Sequence, residues 1–170
     1  MAGQTGDVTV LTTVDLGSSV ATVRRAEATD VPAIVDLLAA DQLGATRDGV
    51  RTEADHAAYQ RAFEAIDADP AHLLVVVEDG GEIVATFQLS FLPGLARRGA
   101  LRAQIEAVRV RGDYRRRRLG EALMTWAIDE ARRRGCALVQ LTSDKSRQAA
   151  HRFYARLGFV ASHEGMKLRL

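Results

Sequence analysis

The stretch that decides the fold is Glu106–Ala131, EAVRVRGDYRRRRLGEALMTWAIDEA. An apolar strand ends near Arg111, a polar turn follows, and four arginines, Arg115 to Arg118, lead through Gly120 into an amphipathic helix. Leu119, Leu123, Trp126, Ala127 and Ala131 recur at helical spacing, and Gly135 stands ready to end the helix. A helix N-terminus carries unpaired N–H groups and the positive end of the dipole, and here fixed positive charge flanks it. That combination suits a diphosphate.

The strand feeding the turn is irregular. Leu101, Ala103, Ile105 and Ala107 alternate, but Val108 and Val110 fall on the other phase. A β-bulge gives such a slip, and so does a strand buried on both faces; the pattern alone fits either. Further upstream, Ile83 to Ser90 and Leu73 to Val77 read as a hairpin around Asp79-Gly80-Gly81. Phe91 to Ala100 is a loop containing Pro93-Gly94. Thr52 with Asp55 forms a capping-box pattern for a helix with Tyr59, Ala62, Phe63 and Ile66 on one face, ended by Asp69-Pro70. Thr29 or Asp30 caps an earlier helix to about Ala40, with Pro32 in its first turn, and Ala21 to Ala26 is a first strand.

Downstream, Ala137 to Thr142 reads as a buried strand. Ser146 to Leu157 is a helix burying Ala150, Phe153, Tyr154 and Leu157. Gly158-Phe159 fits a Schellman ending, and Phe159 to Ser162 with Met166 to Leu170 form a final hairpin. Residues 1–20 read as a poorly ordered extension with room for one short strand, and residues 21–170 as one domain. The fold class is α/β (α+β), a mixed sheet flanked by about four helices.

Composition narrows the function. Net charge is +1, so bulk electrostatics argue against nucleic-acid or membrane binding. The positive charge is local: nine arginines and only two acids, Glu106 and Asp113, lie between Arg97 and Arg118. One cysteine, Cys136, excludes an intrachain disulfide framework, and the N-terminal segment lacks a basic n-region, so the expected compartment is the cytoplasm. His56, His72, His151 and His163 show no metal-ligand spacing, so no metal is expected. There is no Walker A and no GxGxxG.

Three spaced elements, YRRRRLGE at Tyr114–Glu121, the strand LVQLTSD, and RFYARLGF, resemble the GNAT superfamily of acetyl-CoA-dependent N-acetyltransferases. The resemblance covers roughly Ala21 to Leu170. It implies a mostly antiparallel sheet splayed at a central parallel strand pair, between the strand ending at Val110 and the strand at Ala137. The pantetheine arm of acetyl-CoA is expected in that gap, against the backbone of Val108, Arg109 and Val110. The turn Arg115, Arg116, Arg117, Arg118, Leu119, Gly120 and Glu121 is expected to hold the pyrophosphate through its backbone, with Arg147 a further phosphate contact or a solvated residue. Arg118 stands where the family prefers glycine. It keeps the backbone approach open only with a negative φ and an outward side chain.

Acetyl transfer to an amine needs a base, an oxyanion donor and an acid for the leaving thiolate. The resemblance assigns the base to Glu106, whose other reading is a strand carboxylate paired with Arg102 or Arg109. An unpaired N–H such as that of Val108 is the oxyanion donor. Tyr154 matches the family's acid and also fits a core aromatic. Gln104 stands where some members carry a catalytic Glu, and glutamine cannot serve as a base. Asp41, Asp48, Glu53 and Asp55 favour a small cationic amine as acceptor, with a protein N-terminus or lysine as runner-up. The alternatives to an enzyme are a basic nucleic-acid-binding or regulatory module, or a GNAT-like domain that binds acetyl-CoA without catalysis. A homodimer is compatible with the resemblance.

Overall fold

The computed structural model describes residues 8–40, 44–115, 117–168 and 170. Six strands form one sheet in chain order: β1 (Val10–Asp15), β2 (Val20–Arg25), β3 (His72–Asp79), β4 (Glu82–Leu92), β5 (Arg102–Val110) and β6 (Leu138–Leu141). β1 to β5 pair antiparallel, and β5 pairs with β6 in parallel. The helices are α1 (Val31–Ala39), α2 (Glu53–Ala68), the single turn α3 (Ala96–Gly99), α4 (Leu119–Arg133) and α5 (Gln148–Arg156).

Strand alternation sends side chains to two layers. Val75, Val77, Phe87, Leu89, Ala103 and Ile105 pack with Leu119, Leu123, Met124 and Ala127 of α4, and Phe153, Tyr154 and Leu157 of α5 join them. On the opposite face Val76 packs with Ile34 and Val35 of α1 and Phe63 of α2. Buried Arg24 of β2 grips Asp30 through two bonds of 2.7 and 2.8 Å, and Asp30 also accepts the Glu27 N–H at 2.8 Å. This joins the sheet to the start of α1, whose entry is a short 3₁₀ turn at Ala28–Asp30.

Local signals explain the helix ends. The Thr52 Oγ1 accepts from the Asp55 N–H and the Asp55 carboxylate accepts from the Thr52 N–H, which completes the capping box of α2. After α5, Gly158 takes φ +90° and the Phe159 N–H donates to the Tyr154 carbonyl at 3.1 Å, a Schellman closure that seats Phe159 on Tyr154.

The short strand allowed within the first twenty residues forms, paired along β2. Two expectations are corrected. β6 and the apolar positions of α5 are half-buried rather than buried, since both lie at the margin of the main core, with β6 the last strand of the described sheet. No strand follows α5 among the described residues: Val160, Met166 and Leu168 are exposed, while Phe159 is held on Tyr154 and Glu164 by Lys145. β6 therefore ends the described sheet, and the parallel pair lies at its edge. Among the described residues no helix is long and apolar enough to cross a membrane.

Candidate active site

The phase slip in β5 is a bulge. Thr86 of β4 faces Arg109, yet Gln88, two residues on, faces Glu106, so β5 carries one extra residue between them. Ala107 absorbs it with φ +55°. The insertion lets Ala103, Ile105, Val108 and Val110 all reach the α4 layer, while Glu106 and Arg109 share the α1/α2 face.

The same strand marks where the sheet opens. Parallel pairing with β6 runs from Arg102–Leu138 to Ile105–Leu141 and stops there. Beyond Ile105, β5 keeps only β4 as a neighbour. The Arg111 N–H donates toward β4, to the Val84 carbonyl at 2.9 Å, so by alternation the backbone groups of Val110 and Val108 point to the open side. Two arginines occupy their carbonyls: Arg109 Nη1 donates to Val108 O at 2.9 Å and Arg115 Nε to Val110 O at 3.2 Å. The N–H groups of Val108 and Val110 face the opening, where no strand pairs with them.

At the end of β5 the chain turns into α4. Among the described residues the Ala122 N–H is the first to bond back, to Arg118 O at 3.0 Å, and no side chain caps this helix. The N–H groups of Leu119, Gly120 and Glu121 thus form an uncapped first turn, a fit for a phosphate anion. A Cβ at Gly120 would stand 3.9 Å from Phe153 and 4.0 Å from Val110, ordinary contacts, so protein packing does not demand glycine there. The bare backbone instead leaves the helix end open to a ligand. Leu119 is fully buried and can offer only its N–H.

Arg118 departs from the expectation of a negative φ. Its φ is +61°, in the left-handed region that glycine enters freely and other residues enter at a cost of about 1–2 kcal/mol. Arg117 stacks over the Tyr114 ring at 4.9 Å, so the side chains of Arg115 and Arg117 are turned onto protein. Arg116 lies outside the described residues. Arg147 sits at the N-cap of α5, half-buried.

Glu106 is exposed and, among the described residues, forms neither an ion pair nor a hydrogen bond, so the pairing with Arg102 or Arg109 is not formed. Tyr154 lies between Phe153 and Phe159, with ring centroids at 5.3 and 5.9 Å. Burial raises its phenol above the ordinary value, opposed by the charges of Arg147 and Arg109.

The sheet floor beside Glu106 holds residues whose alignment the sequence does not reveal. His72, Ser90, Gln104 and Gln140 stand opposite one another on β3, β4, β5 and β6, on the α1/α2 face, and Gln88 stands opposite Glu106. Their signal in the sequence is the polar phase of Phe87-Gln88-Leu89-Ser90-Phe91, where Gln and Ser interrupt apolar positions.

An open parallel strand edge, an uncapped helix N-terminus beyond it and an unpaired carboxylate beside it define an α/β domain of the acyltransferase type. The chain belongs to the acetyltransferase (GNAT) family, whose model matches residues 33–159. It is 31% identical over 115 residues to the aminoalkylphosphonate N-acetyltransferase of Salmonella typhimurium, covering 67% of this chain and 73% of that protein. A structure described as a transcriptional regulator from Bacillus halodurans is 43% identical, with a TM-score of 0.83 over 88% of this chain and 99% of its own. Glucosamine-6-phosphate N-acetyltransferase from Arabidopsis thaliana, 22% identical, shares the fold with a TM-score of 0.70 over 88% of this chain and 97% of its own. The protein is an acyltransferase.

Proposed function

We propose that this protein transfers an acetyl group from acetyl-CoA to a small primary amine by direct attack in a ternary complex. The observation that carries the reading is the end of β5–β6 pairing at Ile105, which leaves the Val108 N–H on an open edge while Glu106, next along the strand, has no partner. The diphosphate would rest on the N–H groups of Leu119, Gly120 and Glu121, and the pantetheine arm would pair along Val108–Val110.

Glu106, directly or through one water, takes a proton from the acceptor ammonium. The amine nitrogen then bonds to the thioester carbon, and the Val108 N–H stabilises the charge developing on the carbonyl oxygen. The C–S bond breaks as that carbonyl re-forms, and Tyr154 gives its proton to the departing thiolate. The nitrogen, still positively charged after the attack, releases its second proton to solvent as the amide forms. Arg147 and Arg109 favour the phenolate that remains.

The relative that acts on aminoalkylphosphonates supports a small-molecule acceptor. The acidic cluster that favours a cationic amine is partly committed elsewhere: the Asp55 carboxylate accepts from the Arg51 and Thr52 N–H groups at 3.0 and 2.9 Å, and Asp41 lies outside the described residues. An acceptor screen reading thiol release from acetyl-CoA tests the proposal. Turnover with at least one small amine, lost in Glu106→Gln, is expected; acetyl-CoA binding with no turnover of any small amine would contradict it. A second reading, a regulatory role, is favoured by the description of the 43% identical relative. Titration with duplex DNA decides it, since such a role predicts binding that weakens steeply with salt.

A further inference from the structure

One face of the sheet carries polarity that the chemistry above does not use. In the row His72, Ser90, Gln104 and Gln140, Ser90 is buried and the other three are half-buried. Polar groups in such a place cost desolvation unless they are matched. Here the matching is directional. Ser90 Oγ meets His72 Nδ1 at 2.8 Å and Gln88 Nε2 at 3.3 Å, which occupies the β3–β4 end of the row. At the other end, Gln140 Nε2 donates to Gln104 Oε1 at 2.7 Å. That bond fixes the Gln104 amide and leaves its Nε2 a donor with no protein acceptor among the described residues.

Glu106 lies two residues further along the same face of β5, about 7 Å away by strand geometry. The floor thus offers a carboxylate for an ammonium and, one pleat away, an oriented N–H donor for an oxygen. A small acceptor that carries an amine at one end and an oxyacid group two or three carbons away matches both.

We infer that Gln104, oriented by Gln140, is a specificity-determining residue that receives an oxyanion oxygen of the acceptor, so that the acceptors are short amino-oxyacids, carboxylate or phosphonate. This rests on the transferase reading above and goes beyond it, since that reading requires only a primary amine. It also departs from the cationic amine that the acidic residues near the α1–α2 connection favour.

The experiment compares kcat/KM for 2-aminoethylphosphonate, 3-aminopropanoate, n-propylamine and 1,3-diaminopropane, with thiol release as the readout. At least one oxyacid is expected to exceed n-propylamine by about 100-fold or more, and the two oxyacid arms show which oxyanion is preferred. Gln104→Leu should reduce that preference by about 10–100-fold, through KM. Gln140→Leu, which releases the Gln104 amide, should reduce it by a smaller factor. Equal use of oxyacids and n-propylamine, preference for the diamine, or an unchanged preference in Gln104→Leu would each overturn the inference. The wild-type preference decides the matter even if a variant fails to fold. Calorimetry with acetyl-CoA separates the two levels: no binding defeats the transferase reading itself, whereas binding with indiscriminate amine turnover defeats only this inference.

Discussion

The two halves of β5 are built differently, and the difference locates the chemistry. From Arg102 to Ile105 the strand pairs with β4 on one side and β6 on the other, with Ala103 and Ile105 buried beneath α4. From Glu106 to Val110 it pairs with β4 alone, carries the bulge at Ala107, and turns the Val108 and Val110 N–H groups to an open edge. The backbone of the first half is paired on both sides and contributes stability. The second keeps unpaired donors, whose natural partner is a ligand.

Substitutions on either side should separate these roles, and the largest effect belongs to the open half. Glu106→Gln should lower kcat/KM about 10³-fold near neutral pH in the thiol-release assay, with thermal stability close to wild type. Ile105→Ala, in the paired half, should do the reverse in kind. Loss of a side chain only 1% exposed should destabilise the fold by about 2–5 kcal/mol, read by denaturant unfolding.

Tyr154→Phe should reduce kcat about 10²-fold. Burial keeps the Tyr154 phenol protonated above the ordinary tyrosine range despite the nearby arginines. The active form is the protonated one, so activity should fall only as pH rises beyond about 10. That alkaline limb should be absent from the variant's pH–kcat profile. The smallest effect is expected at the turn. Arg118→Gly relieves a left-handed φ but gives the unfolded chain more freedom, for a net gain of about 0.5–1 kcal/mol and a rise of about 1–4 °C in Tm.

Much of this contrast is legible in the residues. The phase slip between Ile105 and Val108 points to the bulge because side-chain period in a strand is local information. Thr52 with Asp55, Gly135 and Gly158-Phe159 mark helix ends for the same reason: each acts within one turn of itself. Features that depend on strands meeting across long sequence separations are not legible. Nothing in Leu138–Leu141 announces that pairing stops opposite Ile105, and nothing in the separate words containing His72, Ser90, Gln104 and Gln140 announces their common row. The positive φ of Arg118 is set by the path between β5 and α4, against the preference of the residue itself. The final hairpin, read over Phe159 to Ser162 and Met166 to Leu170, is not formed among the described residues, where Val160, Met166 and Leu168 are exposed.

The central claim is that the open edge of β5 receives acetyl-CoA. Residue-resolved amide exchange by NMR, with and without saturating acetyl-CoA, tests it most directly. The N–H groups of Val108 and Val110 should exchange rapidly in the free protein and become strongly protected on binding, while Ala103 and Ile105 remain protected throughout. Saturation with acetyl-CoA that leaves Val108 and Val110 unprotected would contradict the account.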